Sequence, residues 1–151
     1  MTEKNELHRK FAIQCFNGTW DLIDNKDRNQ DDDSQMIHMA HASRYHWGQI
    51  GTPLEFARGD WQISRVYANL GFGAMAYKYA KNCLDLCEEH DLGDFDLAFA
   101  YEALAQASAV SGDIAKGQGY LSMAKSAADE IKKEDDQKYF CSELKSVSEL
   151  L

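Results

Sequence analysis

Proline is almost missing from this chain: Pro53 is the only one in 151 residues, and glycine is limited to ten. Proline breaks a helix by removing an N–H and clashing with the preceding turn, so its scarcity leaves room for long helices. Cysteine is sparse too. Cys15, Cys83, Cys87 and Cys141 form no C-x-x-C pair, which fits reduced thiols. Basic residues are in deficit, with 16 Lys and Arg against 25 Asp and Glu and a net charge of −9. Nucleic acid is therefore not the expected partner, because phosphate contacts need clustered Lys and Arg. Acidity by itself selects no positive partner and commonly serves solubility. No apolar run approaches the roughly 20 residues of a membrane helix. The opening "MTEKNELHRKF" also lacks the apolar stretch of a secretory leader. A cytoplasmic protein with no membrane partner is expected. HExxH, GxSxG and P-loop strings are absent, so no cofactor is expected and catalysis is the less favoured reading.

What is present points to an all-α fold. The length suits one domain with one continuous core. Residues 6–24 carry two apolar rows at helical spacing, Leu7-Phe11-Cys15-Gly18-Leu22 and Ile13-Phe16-Trp20-Ile23. One row suffices for a surface helix, so two predict neighbours on two sides. The polar run "DNKDRNQDDDS" reads as a loop ending in a helix start, with Asp32, Asp33 or Ser34 as N-cap. A divalent-ion site at Asp31–Asp33 is the weaker reading, because acidic runs commonly suit the positive end of a helix dipole. The next helix runs to Ile50 and is expected to stop at Gly51 as C′, with Pro53 beyond. Further helices are expected over 53–70, 73–90, 95–111, 113–132 and 136–150.

An internal echo appears at an offset of 41 residues when Gly71 is laid on Gly112. Ile63-Ser64 then matches Leu104-Ala105, and Ala57 matches Ala98. Downstream, Ala76 matches Gly117, Tyr79 matches Tyr120, and Cys83 matches Ala124. Small residues thus recur where two helices must approach closely, and helix pairs that cannot hide their own apolar faces stack. Tyr101-x₂-Leu104-Ala105 and Ile63-Ser64-x₂-Tyr67 carry the front half of a W-x₂-L-G-x₂-Y pattern, and Ala76 takes its later small position. In these residues the chain resembles the tetratricopeptide repeat. It departs from that pattern at Asp60, where an aromatic belongs, at Gly117, and in the missing closing proline. The offset exceeds the family's 34 by about two helical turns, so a longer second helix or a looser link is expected. The strings "AHASRYHW" and "GDWQISRVY" also give a resemblance to a bacterial group of short TPR-like proteins, which implies a fold and no mechanism. The resemblance implies about seven antiparallel helices in one right-handed TPR-like solenoid over residues 1–151. Residues 6–50 would form a divergent first pair, 54–131 two repeat units, and 136–151 a capping helix.

Two groups of side chains are candidate sites. On the 53–70 helix, Arg58, Trp61, Arg65 and Asn69 share a stripe, and Phe99, Glu102 and Gln106 form the matching row one unit later. In TPR-like folds such positions line a concave groove. Arg58 and Arg65 could fork a carboxylate there, Glu102 orient the ligand, and Trp61, Phe99 and Tyr101 supply walls. The competing reading makes Trp61 core and pairs both arginines with surrounding carboxylates. The other group is "MIHMAHASRYHWGQIG", residues 36–51. Helical geometry turns Met36, Met39, Ala40, Ser43, Trp47 and Ile50 one way, and His38, His41, Tyr45 and Gln49 the other. His46 lies at the border, so the three histidines cannot converge on one ion. Cys83 and Cys87 share a helical face, and packing is favoured there over a soft metal. "GFGAMA" copies the letters of a dinucleotide fingerprint but follows a helix where the fingerprint needs a strand. The expected function is a non-catalytic module binding a peptide or partner protein in its groove. The alternatives are a small-molecule or metal-binding protein using His38, His41, Tyr45 and Arg44, and a self-associating protein forming a homodimer.

Overall fold

The computed structural model describes residues 2–151, and among these every regular element is an α-helix. There are seven: α1 (Glu3–Asp24), α2 (Gln30–Ile50), α3 (Pro53–Asn69), α4 (Gly73–Glu89), α5 (Asp94–Val110), α6 (Ile114–Ala128) and α7 (Glu134–Ser148). None is long and apolar enough to cross a membrane, among the described residues.

The loop between α1 and α2 is shorter than expected, and the reason is local hydrogen bonding. The N-cap of α2 is Asn29, not Asp32, Asp33 or Ser34. Its side chain accepts from the Asp32 N–H at 2.8 Å, and the Asp32 carboxylate accepts from the Asn29 N–H at 3.2 Å. This reciprocal box satisfies two orphan donors and pulls the three aspartates inside the first turn. Arg28 closes the other side. Its Nη1 donates to the carbonyls of Leu22, Ile23 and Asn25, and its Nε to Asp33 at 2.9 Å. One guanidinium thus serves the C-terminal carbonyls of α1 and ties them to the start of α2.

Gly51 also differs from expectation. It occupies the C-cap at φ −91°, ψ −172°, an extended conformation open to any residue, rather than a left-handed C′. The stop is enforced by Pro53, which opens α3 in its first turn where the missing N–H costs nothing. The left-handed glycines are Gly71 and Gly112, at φ +83° and +82°. In each turn the following residue donates back to a carbonyl five positions earlier, Phe72 to Tyr67 and Asp113 to Ser108. These two Schellman turns obey the same offset as the sequence echo. The second helices are not lengthened: α4 has 17 residues and α6 has 15.

Consecutive helices pack on one another, and α1, α3, α5 and α7 also touch in series. The backbones of the even helices α2, α4 and α6 approach only their chain neighbours, among the described residues. Side chains bridge them: His41 packs on Tyr79, and the Tyr77 and Tyr120 hydroxyls share a hydrogen bond. Close approach depends on small side chains. Ala57, Ala76, Ala98, Ala105 and Ala124 are essentially fully buried, as the offset pattern requires. Buried polar side chains stitch the layers through backbone carbonyls: Ser43 donates to Ala12, Ser64 to Ala76 and Gln62 to Phe16. Each such bond satisfies a hydroxyl or amide N–H that burial would otherwise penalise, while Gln62 Oε1 has no partner among the described residues.

Candidate functional site

The stripe on α3 sits on the layer made by the odd helices. Spacing of three and four residues puts Arg58, Trp61, Arg65 and Asn69 on one face, and α1, α5 and α7 supply what that face meets. Trp61 packs against Trp20 of α1 at 5.5 Å between ring centroids and edge-on to Phe99 of α5 at 5.4 Å. The Arg65 guanidinium lies 5.7 Å from the Trp61 ring. Asn69 turns back and donates to the Arg65 carbonyl.

Between these rings opens a cleft of about 270 Å³. Phe16 and Trp20 wall it from α1, Arg58 and Trp61 from α3, Phe95, Asp96 and Phe99 from α5, and Tyr139 from α7. A second cleft of about 330 Å³ adjoins it, lined by Ile13, Trp47, Leu54 and Glu55 and sharing Phe16 and Arg58 with the first. Arg58 therefore stands where the two meet. Its Nε and Nη2 donate to the two Asp96 oxygens at 2.9 and 3.3 Å, a bidentate pair linking α3 to α5. That hydrogen bond holds the guanidinium above its ordinary pKa.

Arg65 lies deeper, with its side chain 14% exposed. Its Nη1 donates to Glu102 and Gln106 of α5, and its Nη2 to Glu143 of α7, each at 3.0 Å. Glu102 is wholly buried, and its Oε2 has no partner among the described residues. Burial pushes its carboxyl up to about 7, against the pull of Arg65 and with a further push from Glu143. Tyr139, at the cleft wall, is raised first by burial and then by Glu143, with Asp24 of α1 adding to it.

Of the first group of candidates, Arg58, Trp61 and Phe99 line the cleft. Arg65 and Glu102 lie beside it in the ion network, and Tyr101 packs half-buried into the core formed with α4 and α6. Both arginines are paired with carboxylates. The second group comes apart. His38 is exposed, while His41 is half-buried against Tyr67 and Tyr79, its Nε2 hydrogen-bonded to the Tyr67 hydroxyl at 2.9 Å. Burial lowers its pKa. Tyr45 is 60% exposed. Arg44 donates to the buried Asp60 at 3.1 Å and lies over the Phe56 ring, away from both clefts. Asp60 thereby explains its place in an aromatic position: it is the buried partner of Arg44, raised by burial and pulled down by that cation. His46 pairs instead with His8 of α1, Nδ1 to Nδ1 at 2.8 Å.

Sequence reasoning missed Phe16, Trp20, Asp96 and Tyr139 as cleft residues, and His8 as a partner. The doubled apolar row of α1 held a usable signal, since a row beyond the one packed on α2 has to face something else. Asp96 sits in the first turn of α5, where an acid gives no sign of a partner on α3. Cys83 and Cys87 are free and buried, and no group of three or more metal-ligating side chains occurs among the described residues. Comparison with known proteins finds no match to a family model, to a curated protein or to a solved structure, so the site is read from its own chemistry.

Proposed function

We propose that the chain is a non-catalytic interaction module, a right-handed stack of helix pairs of the TPR-like kind, that holds an extended peptide segment of a partner protein on its odd-helix layer. The observation behind this reading is the pair of adjoining clefts. At about 270 and 330 Å³ each suits one or two bulky side chains, at or below the small end of the range for drug-sized ligands. Their shared wall, Phe16 and Arg58, lets one chain fill both. Trp61, Trp20 and Phe99 form the kind of aromatic, well-packed surface that dominates binding energy at interfaces. Arg65 and Glu102 act from beneath, keeping α5 and α7 in register with α3.

The test is selection of peptides from a displayed random library on the wild-type protein, with Trp61→Ala as the comparison target. Enriched peptides are expected to bind the wild type at least tenfold more tightly than the variant. Enriched peptides that bind both equally would place the interaction elsewhere and remove the proposal.

A further inference from the structure

The charges around the two clefts are lopsided. Asp24, Glu55, Asp96 and Glu143 line the clefts or act on their walls, against Arg58, Arg65 and, over the Trp47 ring of the second cleft, Arg9. Arg65 is largely buried and already shared among three acceptors. α5 carries Asp94, Asp96 and Glu102 with no Lys or Arg, and α7 opens on Glu134, Asp135 and Asp136. Among the described residues Arg58 is the one cation lining both clefts, and its half-exposed side chain is 52% accessible while that of Asp96 is 17%. The half-exposed Arg58 side chain leaves this pair open to competition from a second cation.

Resting on the peptide-binding reading, we propose that the bound segment is basic and apolar: a cationic side chain enters the Trp20–Trp61–Phe99 cleft and takes Asp96 from Arg58, while an apolar neighbour fills the second cleft. Trp and Phe faces attract cations, and the alkyl stem of a Lys or Arg covers apolar surface while its head reaches a carboxylate. Arg58 then acts as an internal stand-in for the ligand's cation, occupying the Asp96 carboxylate until displaced. An acidic segment would meet the opposite situation, since Arg58, the guanidinium lining both clefts, is already paired with Asp96 and further carboxylates surround it.

Fluorescence anisotropy with three labelled peptides of equal length tests this: alternating Leu and Lys, alternating Leu and Glu, and alternating Ser and Lys. The Leu/Lys peptide is expected to bind at least tenfold more tightly than either other, with affinity falling as salt rises. Asp96→Asn weakens it several-fold and Trp61→Ala at least tenfold. Arg58→Ala tightens it several-fold by freeing Asp96, and the distant surface change Asp85→Asn leaves it unchanged. Circular dichroism establishes that each variant is folded; should Asp96→Asn unfold, Arg58→Ala decides the matter. Preferred binding of the Leu/Glu peptide with Trp61 dependence, or weakening by Arg58→Ala, overturns the charge assignment and leaves the groove standing. Equal binding of Leu/Lys and Ser/Lys peptides, or binding indifferent to Trp61, overturns both, as does failure of all three peptides to bind.

Discussion

Arg65 stands 3.0 Å from Glu102 on one side and 3.0 Å from Glu143 on the other, so one guanidinium faces two carboxylates. Glu102 is the buried member, with one oxygen unpartnered, and it resolves the surplus negative charge by holding a proton to higher pH. The pairing joins α3, α5 and α7, and it makes stability depend on pH in a definite direction.

The carboxyl of Glu102 rises from its ordinary 4.5 to about 7 on folding. Between those values the folded chain binds more protons than the unfolded one, so this group's contribution is present below about 4.5 and lost as pH climbs through about 7. The loss amounts to about 3 kcal/mol, at about 1.4 kcal/mol per unit. Glu102→Gln, which keeps the shape and an acceptor for Arg65, removes this slope. Urea unfolding at pH 5 and pH 8 is expected to show the wild type losing about 3 kcal/mol more than the variant over that interval. Identical slopes would mean that Glu102 is ionised throughout.

Replacing the cation has the complementary effect. Arg65→Met leaves Glu102 buried with no counter-charge, a situation that costs about 3 to 5 kcal/mol when the acid is ionised. Because Glu102 takes up a proton near neutrality, the penalty at pH 5 is expected to be clearly smaller than at pH 8. Loss of the Glu143 contact also loosens α7, so amide exchange over residues 134–148 should quicken in the variant more than exchange in α1. A penalty independent of pH would count against the coupling.

At the other end of the molecule, His8 and His46 share a hydrogen bond between Nδ1 atoms, which requires at least one of those nitrogens to be unprotonated. Burial, and after it the His8 charge, lowers His46 below its ordinary 6.5. The unfolded chain therefore binds a proton that the fold resists, and this contribution to stability is lost as pH falls below about 6.5. In a pH titration followed by NMR, His8→Ala is expected to bring the His46 midpoint up towards its ordinary value. A downward shift would show that His8 stabilises the charged ring instead.

Gly71 and Gly112 hold left-handed backbone with open space where a Cβ would stand. Alanine at either site therefore meets only torsional strain, about 1 to 2 kcal/mol. The two single variants are expected to lose similar stability, and the double variant their sum to within about 0.5 kcal/mol, since the turns are separate. Thermal melts should fall by roughly 2 to 8 °C for each. A tolerated alanine at one site only would break the equivalence of the two turns.

Much of the helical framework was legible in the residues. Helix existence and most boundaries followed from apolar periodicity, and the Gly71–Gly112 offset marked two turns with matching backbone geometry. The N-cap of α2 was misplaced because Asp32, Asp33 and Ser34 compete as caps at the level of sequence. Only the reciprocal bonds of Asn29 and Asp32 choose among them. For the candidate site, Arg58, Trp61 and Phe99 were found from one helix face and its echo. Trp20, Asp96 and Tyr139 were not, because they come from α1, α5 and α7 and share no local pattern with α3.

The division has a physical cause. Backbone propensity, capping and periodic burial act over a few residues, so the sequence alone determined an all-helical chain with its turns, its small-residue contact positions and the split of His41 from His46. Which charges meet across helices depends on packing between segments tens of residues apart, where exchanging one carboxylate partner for another changes no local signal. Tertiary structure alone decided that Arg58 belongs to Asp96, that Arg65 serves both Glu102 and Glu143, and that His46 finds His8.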